Sequence, residues 1–230
     1  MPKRHATTSD LDAIVWIAIA TSPADPVSPY RYPGMKQFPE VYAQNTRIRY
    51  GEYLADPDNI TMVFEYPSHE DESVTKPVAF SIWALRPSQR PARTAVPAAQ
   101  LAPDITPIST IQNGKPIDRR DASLVRIEAH RADLSVNKKR LFDDRYGDRQ
   151  LYLKMLACHP DYQRLGAGTQ LVEWGISKAR AERLTITLFA SPMGANLYRR
   201  LHFQDAGRFC TQVPGEDEVL ESRAMVLTTM

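Results

Sequence analysis

The chain has 230 residues, of which 43% are hydrophobic and 24% are charged. This length and composition are typical of a globular protein with one sizeable core, so we expect a single domain over residues 1–230. The 29 lysines and arginines nearly balance the 27 aspartates and glutamates. A net charge of +2 gives no global electrostatic reason to expect nucleic acid or an anionic membrane as a partner.

The sequence has no apolar run of the roughly 18 to 20 residues that a membrane helix needs. It starts with MPKRHATTSDLD, which lacks the apolar core of a signal peptide, so we expect a cytoplasmic protein with no membrane partner. The two cysteines, Cys158 and Cys210, lie far apart, and the five histidines have no paired spacing. Neither a disulfide framework nor a metal site is therefore expected.

Prolines cluster in two connections, because proline has no N–H group and disfavours helical geometry in the residue before it. Five of the 18 prolines lie between Thr21 and Pro39, and six lie between Pro87 and Pro116. The second connection opens an insertion that we place at residues 86–150. With 13 basic and eight acidic residues, this insertion carries a charge of +5 and is the basic part of the chain.

The start of the chain predicts a short strand and two helices. A strand around His5 precedes a helix that a capping residue, Ser9 or Asp10, opens. A second, weaker helix is predicted over Val41–Leu54, and Pro57 stops it.

A hairpin and the insertion follow. Thr61–Tyr66 and Val78–Leu85 are apolar segments separated by a polar turn, which predicts a β-hairpin. Between Asp118 and Tyr146, apolar residues recur loosely at helical spacing amid dense charge, which predicts one or two surface helices. The insertion is therefore expected to consist of a Pro-rich loop followed by a helix.

The second half of the chain predicts a strand, a helix and a second strand in succession. Leu151–Cys158 is largely apolar, Gly168–Arg183 has an apolar helical face, and Leu184–Ala190 is again apolar. A strand, helix, strand unit places its two strands in parallel. A helix and two strands close the chain, at Met193–Leu201, Gly207–Val213 and Ala224–Leu227. The predicted fold class is mixed α/β (α+β).

The loop that joins the first of these strands to its helix is QRLGAG, from Gln163 to Gly168. Glycines let a backbone approach a ligand closely, and the free N–H groups at a helix start favour an anion such as a diphosphate. A P-loop does not fit, because the chain has no glycine that is separated by four residues from a Gly-Lys-Ser/Thr run. A dinucleotide fingerprint does not fit either, because Leu171 occupies the place of the third glycine.

The loop resembles the Gln/Arg-x-x-Gly-x-Gly/Ala signature of the GNAT superfamily of N-acetyltransferases, which hold the pyrophosphate of acetyl-coenzyme A (acetyl-CoA) with it. The segments LKMLACHPDYQRLGAGTQLVEWGISKA, ITLFAS and ANLYRRLHF are similar to that family's strand, loop, helix, strand and Tyr-bearing helix. The resemblance covers Leu151 to Phe209 specifically and Arg4 to Leu85 by element order, whereas residues 118–150 match no common family element. It implies a GNAT-type twisted mixed sheet flanked by helices, with a Pro-rich and helical insertion.

The resemblance also implies which residues hold acetyl-CoA as co-substrate. The pantetheine would pair with the end of the strand, and the pyrophosphate would lie on the loop and the helix start. The residues implied on these segments are Leu156, Ala157, Cys158, Gln163, Arg164, Leu165, Gly166, Ala167, Gly168 and Thr169. On the following helix, Asn196 would contact the pantetheine and Arg199 the phosphates.

Tyr198 matches the family position whose phenol often protonates the departing thiolate, and the resemblance implies that it is the catalytic residue. The alternative is a core residue, because tyrosine at helical spacing often packs there. Cys158 beside His159 suggests a nucleophile pair, but adjacent strand residues point to opposite faces of a sheet. We therefore do not favour covalent catalysis by this cysteine.

Recognition of the acceptor is expected from the variable parts of the chain. The first Pro-rich connection carries Tyr30, Tyr32 and Phe38, and the insertion carries Glu128. Aromatic side chains on loops favour a small organic amine, whereas a basic insertion favours an acidic acceptor or merely contacts the phosphates of the coenzyme. The sequence leaves these alternatives open. No acidic residue has a spacing that marks a general base, so Glu128 and Glu65 are only candidates.

The sequence thus predicts an N-acetyltransferase that moves an acetyl group from acetyl-CoA to a small-molecule or peptide amine by direct attack. Such a protein would work as a monomer or a homodimer and would need no metal. Two alternatives remain open. The first is a non-catalytic acyl-CoA binder, which would keep the loop but show no turnover. The second is an interaction module whose functional surface is the basic insertion.

Overall fold

A seven-stranded sheet forms the centre of the computed structural model, which describes residues 3–69, 71, 73–85, 111–112 and 115–229. The Pro-rich stretch predicted at the start of the insertion lies outside the described residues up to position 110. The strands of the central sheet are β1 (Lys3–His5), β2 (Asn59–Pro67), β3 (Thr75–Ala84), β6 (Gln150–Cys158), β7 (Thr185–Ala190), β8 (Gln204–Gln212) and β9 (Val219–Thr228). A separate two-stranded ribbon contains β4 (Ile111–Gln112) and β5 (Lys115–Pro116).

The order of the central sheet is β1-β2-β3-β6-β7-β9-β8. Strands β6 and β7 pair in parallel, as the strand, helix, strand unit predicts, and the other neighbouring strands pair antiparallel. The predicted hairpin is confirmed as the β2–β3 pair. The mixed α/β class is therefore confirmed.

Seven helices of the described chain flank the sheet or join its strands. They are α1 (Leu11–Thr21), α2 (Val27–Arg31), α3 (Pro39–Ala55), α4 (Leu124–Lys138), α5 (Asp144–Tyr146), α6 (Ala167–Glu182) and α7 (Pro192–Arg200). The five-residue helix α2 was not predicted, because prolines surround it and it is too short to show a periodic apolar face. None of the described helices combines the length and the apolar character that crossing a membrane would need.

Alternating side chains of β3 point to the two faces of the sheet, as the period of a strand requires. On one face, Phe80 and Ile82 pack with helix α1 and with Tyr50 of α3. On the other face, Ala79 and Trp83 pack against helix α6. The two faces therefore carry separate apolar layers.

The start of helix α1 is held by Asp10, one of the two predicted capping residues. Its carboxylate accepts a hydrogen bond of 2.7 Å from the backbone N–H of Thr7 and two bonds of 2.8 Å from the guanidinium of Arg4. Arg4 also forms an ion pair with Glu65 on β2. The hydrogen bonds from Arg4 hold the pKa of Asp10 below its usual value. This network joins helix α1 to β1 and β2.

The helical part of the insertion is built into the domain more deeply than the predicted surface helices. Ile127 of α4 is buried in a cluster with Tyr32 and Met35. Phe142, in a π-helical turn after α4, is fully buried with Tyr152 of β6. The dense charge of this segment hid its few buried positions, so the sequence predicted a helix on the surface.

Candidate active site

Strands β6 and β7 separate part of the way along their length. Their parallel register runs from Gln150 opposite Thr185 to Leu153 opposite Leu188 and ends there. Strand β6 continues to Cys158, paired with β3 on its other side. One extra residue, Lys154, interrupts the register between β6 and β3 as a β-bulge. The edge of β6 beyond Leu153 is thus open to an extended ligand.

The glycine loop follows directly after this open edge. Arg164 and Gly166 adopt left-handed backbone conformations, with φ angles of 65° and 88°. The resulting turn leads into helix α6, whose first N–H groups have no partner within the helix. Gln163 donates a side-chain hydrogen bond of 3.2 Å to the carbonyl of Cys158, which ties the loop to the strand end. This arrangement is a site for an anionic group.

Gly168 lies where the loop, the strand and helix α7 come together. A Cβ atom at this position would lie 3.5 Å from Cδ2 of Leu197 and 3.9 Å from Cδ2 of Leu156. An alanine would therefore fit in ordinary contact, whereas a β-branched side chain would extend toward the space beside the loop. At Gly166 the positive φ angle is a separate reason for glycine, because other residues rarely adopt it.

A cavity of about 1150 Å³ runs from the glycine loop to helices α2 and α3. Residues predicted for the coenzyme line much of it, namely Leu156, Ala157, Cys158, Gln163, Arg164, Gly168, Asn196, Tyr198 and Arg199. Leu165, Gly166, Ala167 and Thr169 are not among its lining residues. The tertiary structure therefore brings the strand, the loop and helix α7 to one site.

Tyr198 both lines this cavity and belongs to the apolar core. Its ring centroid lies 5.5 Å from that of Phe203, and burial raises the pKa of its phenol. A phenol with a raised pKa stays protonated at neutral pH and is able to donate. Both predicted roles of Tyr198, proton donor and core residue, are compatible with this position.

Cys158 and His159 do not form a nucleophile pair. The Sγ atom of Cys158 lies 3.3 Å from the carbonyl oxygen of Tyr162, and burial raises the pKa of the thiol to about 11. The ring of His159 stacks on Trp16 with a centroid distance of 3.7 Å. A protonated thiol without a base is a poor nucleophile.

Of the predicted acceptor residues, Tyr32 lines the cavity. Tyr30, Phe38 and Glu128 do not line it. Tyr30 is buried beneath the guanidinium of Arg126, and the ring of Phe38 lies under Arg120. These side chains help to pack the segment around α2.

The two candidate general bases also lie away from the cavity. Glu128 is half exposed on α4 and pairs with Arg131 at 3.1 Å, and Glu65 pairs with Arg4. The acidic residues that do line the cavity are Asp25, Glu52, Asp121 and Glu221. Burial raises the pKa of Asp25, which makes its carboxylate a better proton acceptor.

Sequence reasoning missed three arginines and a histidine at the end of the cavity near α2 and α3. Arg31, Arg49, Arg119 and His130 line this end. They come from three separate segments, and each resembles an ordinary surface residue in the sequence. The weak apolar periodicity of α3 was the available signal, because a helix that lines a polar cavity lacks a simple apolar stripe. The described part of the chain holds no cluster of metal-ligating side chains.

Comparison with known proteins gives the same resemblance as the loop. Residues 131–205 match the family model described as an acetyltransferase (GNAT) domain. The match begins inside α4, so it extends further toward the N-terminus than the resemblance in the sequence. An acetyltransferase of Stachybotrys chartarum is 24% identical over 198 residues, which are 86% of this chain and 77% of that protein.

Solved structures share the fold at low sequence identity. An N-acetyltransferase from Staphylococcus aureus Mu50 has a TM-score of 0.54 and 15% identity, covering 100% of this chain and 98% of that one. A protein from Corynebacterium glutamicum, described as histone acetyltransferase HPA2 and related acetyltransferase, has a TM-score of 0.55 and 19% identity, covering 97% and 93%. YncA of Salmonella typhimurium, solved with acetyl-CoA, has a TM-score of 0.52 and 12% identity, covering 100% and 94%.

These comparisons confirm the resemblance to GNAT acetyltransferases and the GNAT-type fold. They support acyl transfer as the general class of reaction.

Proposed function

We propose that this protein transfers the acetyl group of acetyl-CoA to an amine by direct attack within a ternary complex. The observation that carries this proposal is one continuous cavity that joins the open edge of β6 and the glycine loop to the polar end at α2 and α3. A coenzyme and an acceptor would thus meet beside Met155 to Cys158. The acetyl-CoA that YncA holds supports the same ligand here.

The chain's own residues would hold the coenzyme by two kinds of contact. The backbone of Leu156 to Cys158 would pair with the extended pantetheine, as an added strand does. The N–H groups at the start of α6 would bind the pyrophosphate, with Arg164 and Arg199 as nearby cations. Asn196 would contact the pantetheine from helix α7.

Acetyl-CoA supplies a thioester, whose carbonyl carbon forms a bond to the amine nitrogen and whose carbon–sulfur bond then breaks. Tyr198 would donate a proton to the leaving thiolate, and a backbone N–H near Leu156 would stabilise the oxyanion. An ammonium acceptor must first lose a proton. We propose Asp25 as the group that takes it, because it lines the cavity and has a raised pKa.

The described part of the insertion does not favour an interaction module. Many of its cations have acidic partners: Arg126 pairs with Glu216 and Glu218, and Lys138 pairs with Asp143. These pairs lower the positive charge that the surface offers to an acidic partner.

Binding of acetyl-CoA is tested by thermal unfolding of the wild type, Gly168→Val and the matched control Gly168→Ala. We expect acetyl-CoA to raise the melting temperature of the wild type, because a ligand at a hundredfold excess over Kd stabilises by about 2.7 kcal/mol. Gly168→Ala should keep the shift and Gly168→Val should lose it. A full shift in a folded Gly168→Val protein would exclude the proposed role of the loop.

Turnover is tested by the release of coenzyme A thiol in the presence of a panel of amines and peptides. Release that depends on the amine, with an acetylated product found by mass spectrometry, is the expected result. Binding of acetyl-CoA without release for any acceptor would favour the non-catalytic acyl-CoA binder instead.

A further inference from the structure

Three arginines line the cavity together with Tyr32 at the end that we propose for the acceptor. Arg31 ends helix α2, Arg49 lies on α3, and Arg119 precedes α4. This grouping of cations is assembled from distant parts of the chain.

Arg49 is held by aromatic and hydroxyl groups rather than by an acid. Its guanidinium donates to the hydroxyl of Tyr32 and lies 5.1 Å from the centroid of that ring. It lies 5.3 Å from the ring centroid of Tyr50, and it is 3.5 Å from the hydroxyl of Thr46. Its Nε atom is buried without a hydrogen-bond partner.

Arg31 resembles Arg49, because it also contacts an aromatic ring and lacks a hydrogen-bond partner for its Nε atom. Its guanidinium lies 5.3 Å from the ring centroid of Tyr32, and its Nε atom is buried without a partner. Within the described residues, no carboxylate forms an ion pair with Arg31 or Arg49. The Nε atom of Arg119 is likewise buried without a hydrogen-bond partner, but Arg119 forms an ion pair with Asp121 at 3.5 Å.

The other groups at this end of the cavity are a histidine, a phenol and acidic residues. Burial and the charge of Arg31 lower the pKa of His130 to about 3, so this histidine is neutral. Burial alone would raise the pKa of Tyr32, but Arg49, Arg31 and Arg119 lower it below its usual value. Asp25, Glu52 and Asp121 are acidic residues of the same cavity. Burial raises the pKa of Asp25, and the charge of Arg31 opposes this effect. One carboxylate oxygen of Asp121 pairs with Arg119 and accepts a hydrogen bond of 2.9 Å from Asn45, and the other is buried without a hydrogen-bond partner.

A buried guanidinium without an anion is unfavourable, because burial removes hydration that no partner replaces. The planar fork of arginine matches a carboxylate, to which it donates two parallel hydrogen bonds. Arg31 and Arg49 are partly buried, and each lines the cavity with a buried Nε atom that has no hydrogen-bond partner, which points to an anionic ligand.

The position of the cluster separates it from the pyrophosphate site. The hydroxyl of Tyr50, beside Arg49, lies 3.1 Å from the Sδ atom of Met155 in the middle of β6. The glycine loop lies beyond the far end of this strand, after Cys158. The cluster is thus on the acceptor side of the place where the thioester would lie.

We propose that the acceptor is a small amine that also carries a carboxylate, and that Arg31 and Arg49 bind this carboxylate. The inference rests on the proposed function. The sequence left a small organic amine and an acidic acceptor open, and an amine with a carboxylate belongs to both classes. An amino acid is the simplest ligand of this class.

The test compares L-amino acids with their α-carboxamides and with the corresponding decarboxylated amines. Turnover is measured by thiol release from acetyl-CoA. Affinity is measured by binding calorimetry on the protein saturated with coenzyme A. We expect at least one amino acid to exceed its carboxamide about tenfold or more in kcat/KM or in affinity. Arg49→Gln should bring this ratio close to one, and Arg49→Lys should keep part of it. Arg47→Gln is the matched control, because Arg47 lies on the exposed side of the same helix and pairs with Asp12.

The outcomes separate this inference from the proposed function. Neutral amines that react as well as the acids, or a ratio that Arg49→Gln leaves unchanged, would overturn the inference and leave acetyl transfer intact. Preference for phosphoethanolamine over every amino acid would also overturn it, in favour of a phosphate. Binding of amino acids that depends on Arg49, without thiol release, would support the carboxylate site and contradict acetyl transfer. The absence of both binding and release would contradict both. A retained acetyl-CoA thermal shift shows that each variant is folded.

Discussion

The two faces of the central sheet use their helices in opposite ways. Helix α6 presses an apolar side against β3, closely enough that a Cβ atom at Gly175 would lie 2.1 Å from the ring of Trp83. Helix α3, on the other face, places Arg49 in the cavity, and a Cβ atom at its Gly51 would meet one side-chain atom at 3.8 Å. Helix α6 is therefore in direct contact with β3, whereas one side of helix α3 faces the cavity.

This difference suits the two ligands that we propose. The coenzyme side must hold a fixed backbone edge and a fixed helix start, and dense packing supplies that. The acceptor side needs polar groups that face a cavity. Among these groups, the Nε atoms of Arg31 and Arg49 have no hydrogen-bond partner within the protein. The cavity therefore lies beside the packed core, with one side of helix α3 facing it.

The largest expected effect follows from Tyr198→Phe, which removes the proton donor but keeps the ring. We expect the single-turnover rate to fall on the order of a hundredfold, equivalent to about 2.7 kcal/mol, with acetyl-CoA binding retained. Phe203→Leu is the control, because it disturbs the packing beside Tyr198 and leaves the hydroxyl in place. A wild-type rate in Tyr198→Phe, accompanied by a lower melting temperature, would show that Tyr198 acts in the core alone.

Gly175→Ala tests the packing of the α6 face. The methyl group would overlap the indole of Trp83, so we expect the free energy of unfolding to fall by about 2 kcal/mol in urea denaturation. The cost should shrink in a Trp83→Phe background, where the smaller ring leaves room.

Gly51→Ala is the matched substitution on the α3 face. It should be neutral or raise the free energy of unfolding by about 0.5 kcal/mol, because alanine favours a helix and meets little there. Equal costs at Gly175 and Gly51 would contradict the contrast between the two faces.

Asp10→Asn tests how helix α1, which packs on the α3 face, is fixed to the sheet. The loss of the charged hydrogen bonds to Arg4 and Thr7 should lower the free energy of unfolding by about 1 kcal/mol at pH 7. The pKa of Asp10 is lower in the folded protein, so its contribution is present above the usual carboxyl pKa and lost as the pH falls below it.

The difference between wild type and Asp10→Asn should therefore narrow from pH 5 toward pH 2. Asp12→Asn, an exposed neighbour that pairs with Arg47, should change stability by less than about 0.5 kcal/mol. A difference for Asp10→Asn that stays constant with pH would contradict the role of its charge.

The amino-acid sequence by itself determined the strand, loop, helix and strand from Gln150 to Ala190, because that information is local. An apolar strand, a glycine pair and an apolar helical face are each visible within a short window, and the parallel pairing follows from their order. The resemblance to GNAT acetyltransferases rests on the same segment. Helix α2 and the buried end of the insertion were missed, because short or highly charged segments show no clear period.

The tertiary structure alone decided which side chains form the acceptor end. Tyr32 lines the cavity, but Tyr30 and Phe38, its neighbours in the same aromatic connection, pack against Arg126 and Arg120 instead. The direction of each side chain depends on how α2 and α4 pack, and no local pattern encodes that. Arg31, Arg49 and Arg119 are unremarkable along the chain, and only folding brings them to one cavity beside Tyr32, because they lie on separate segments.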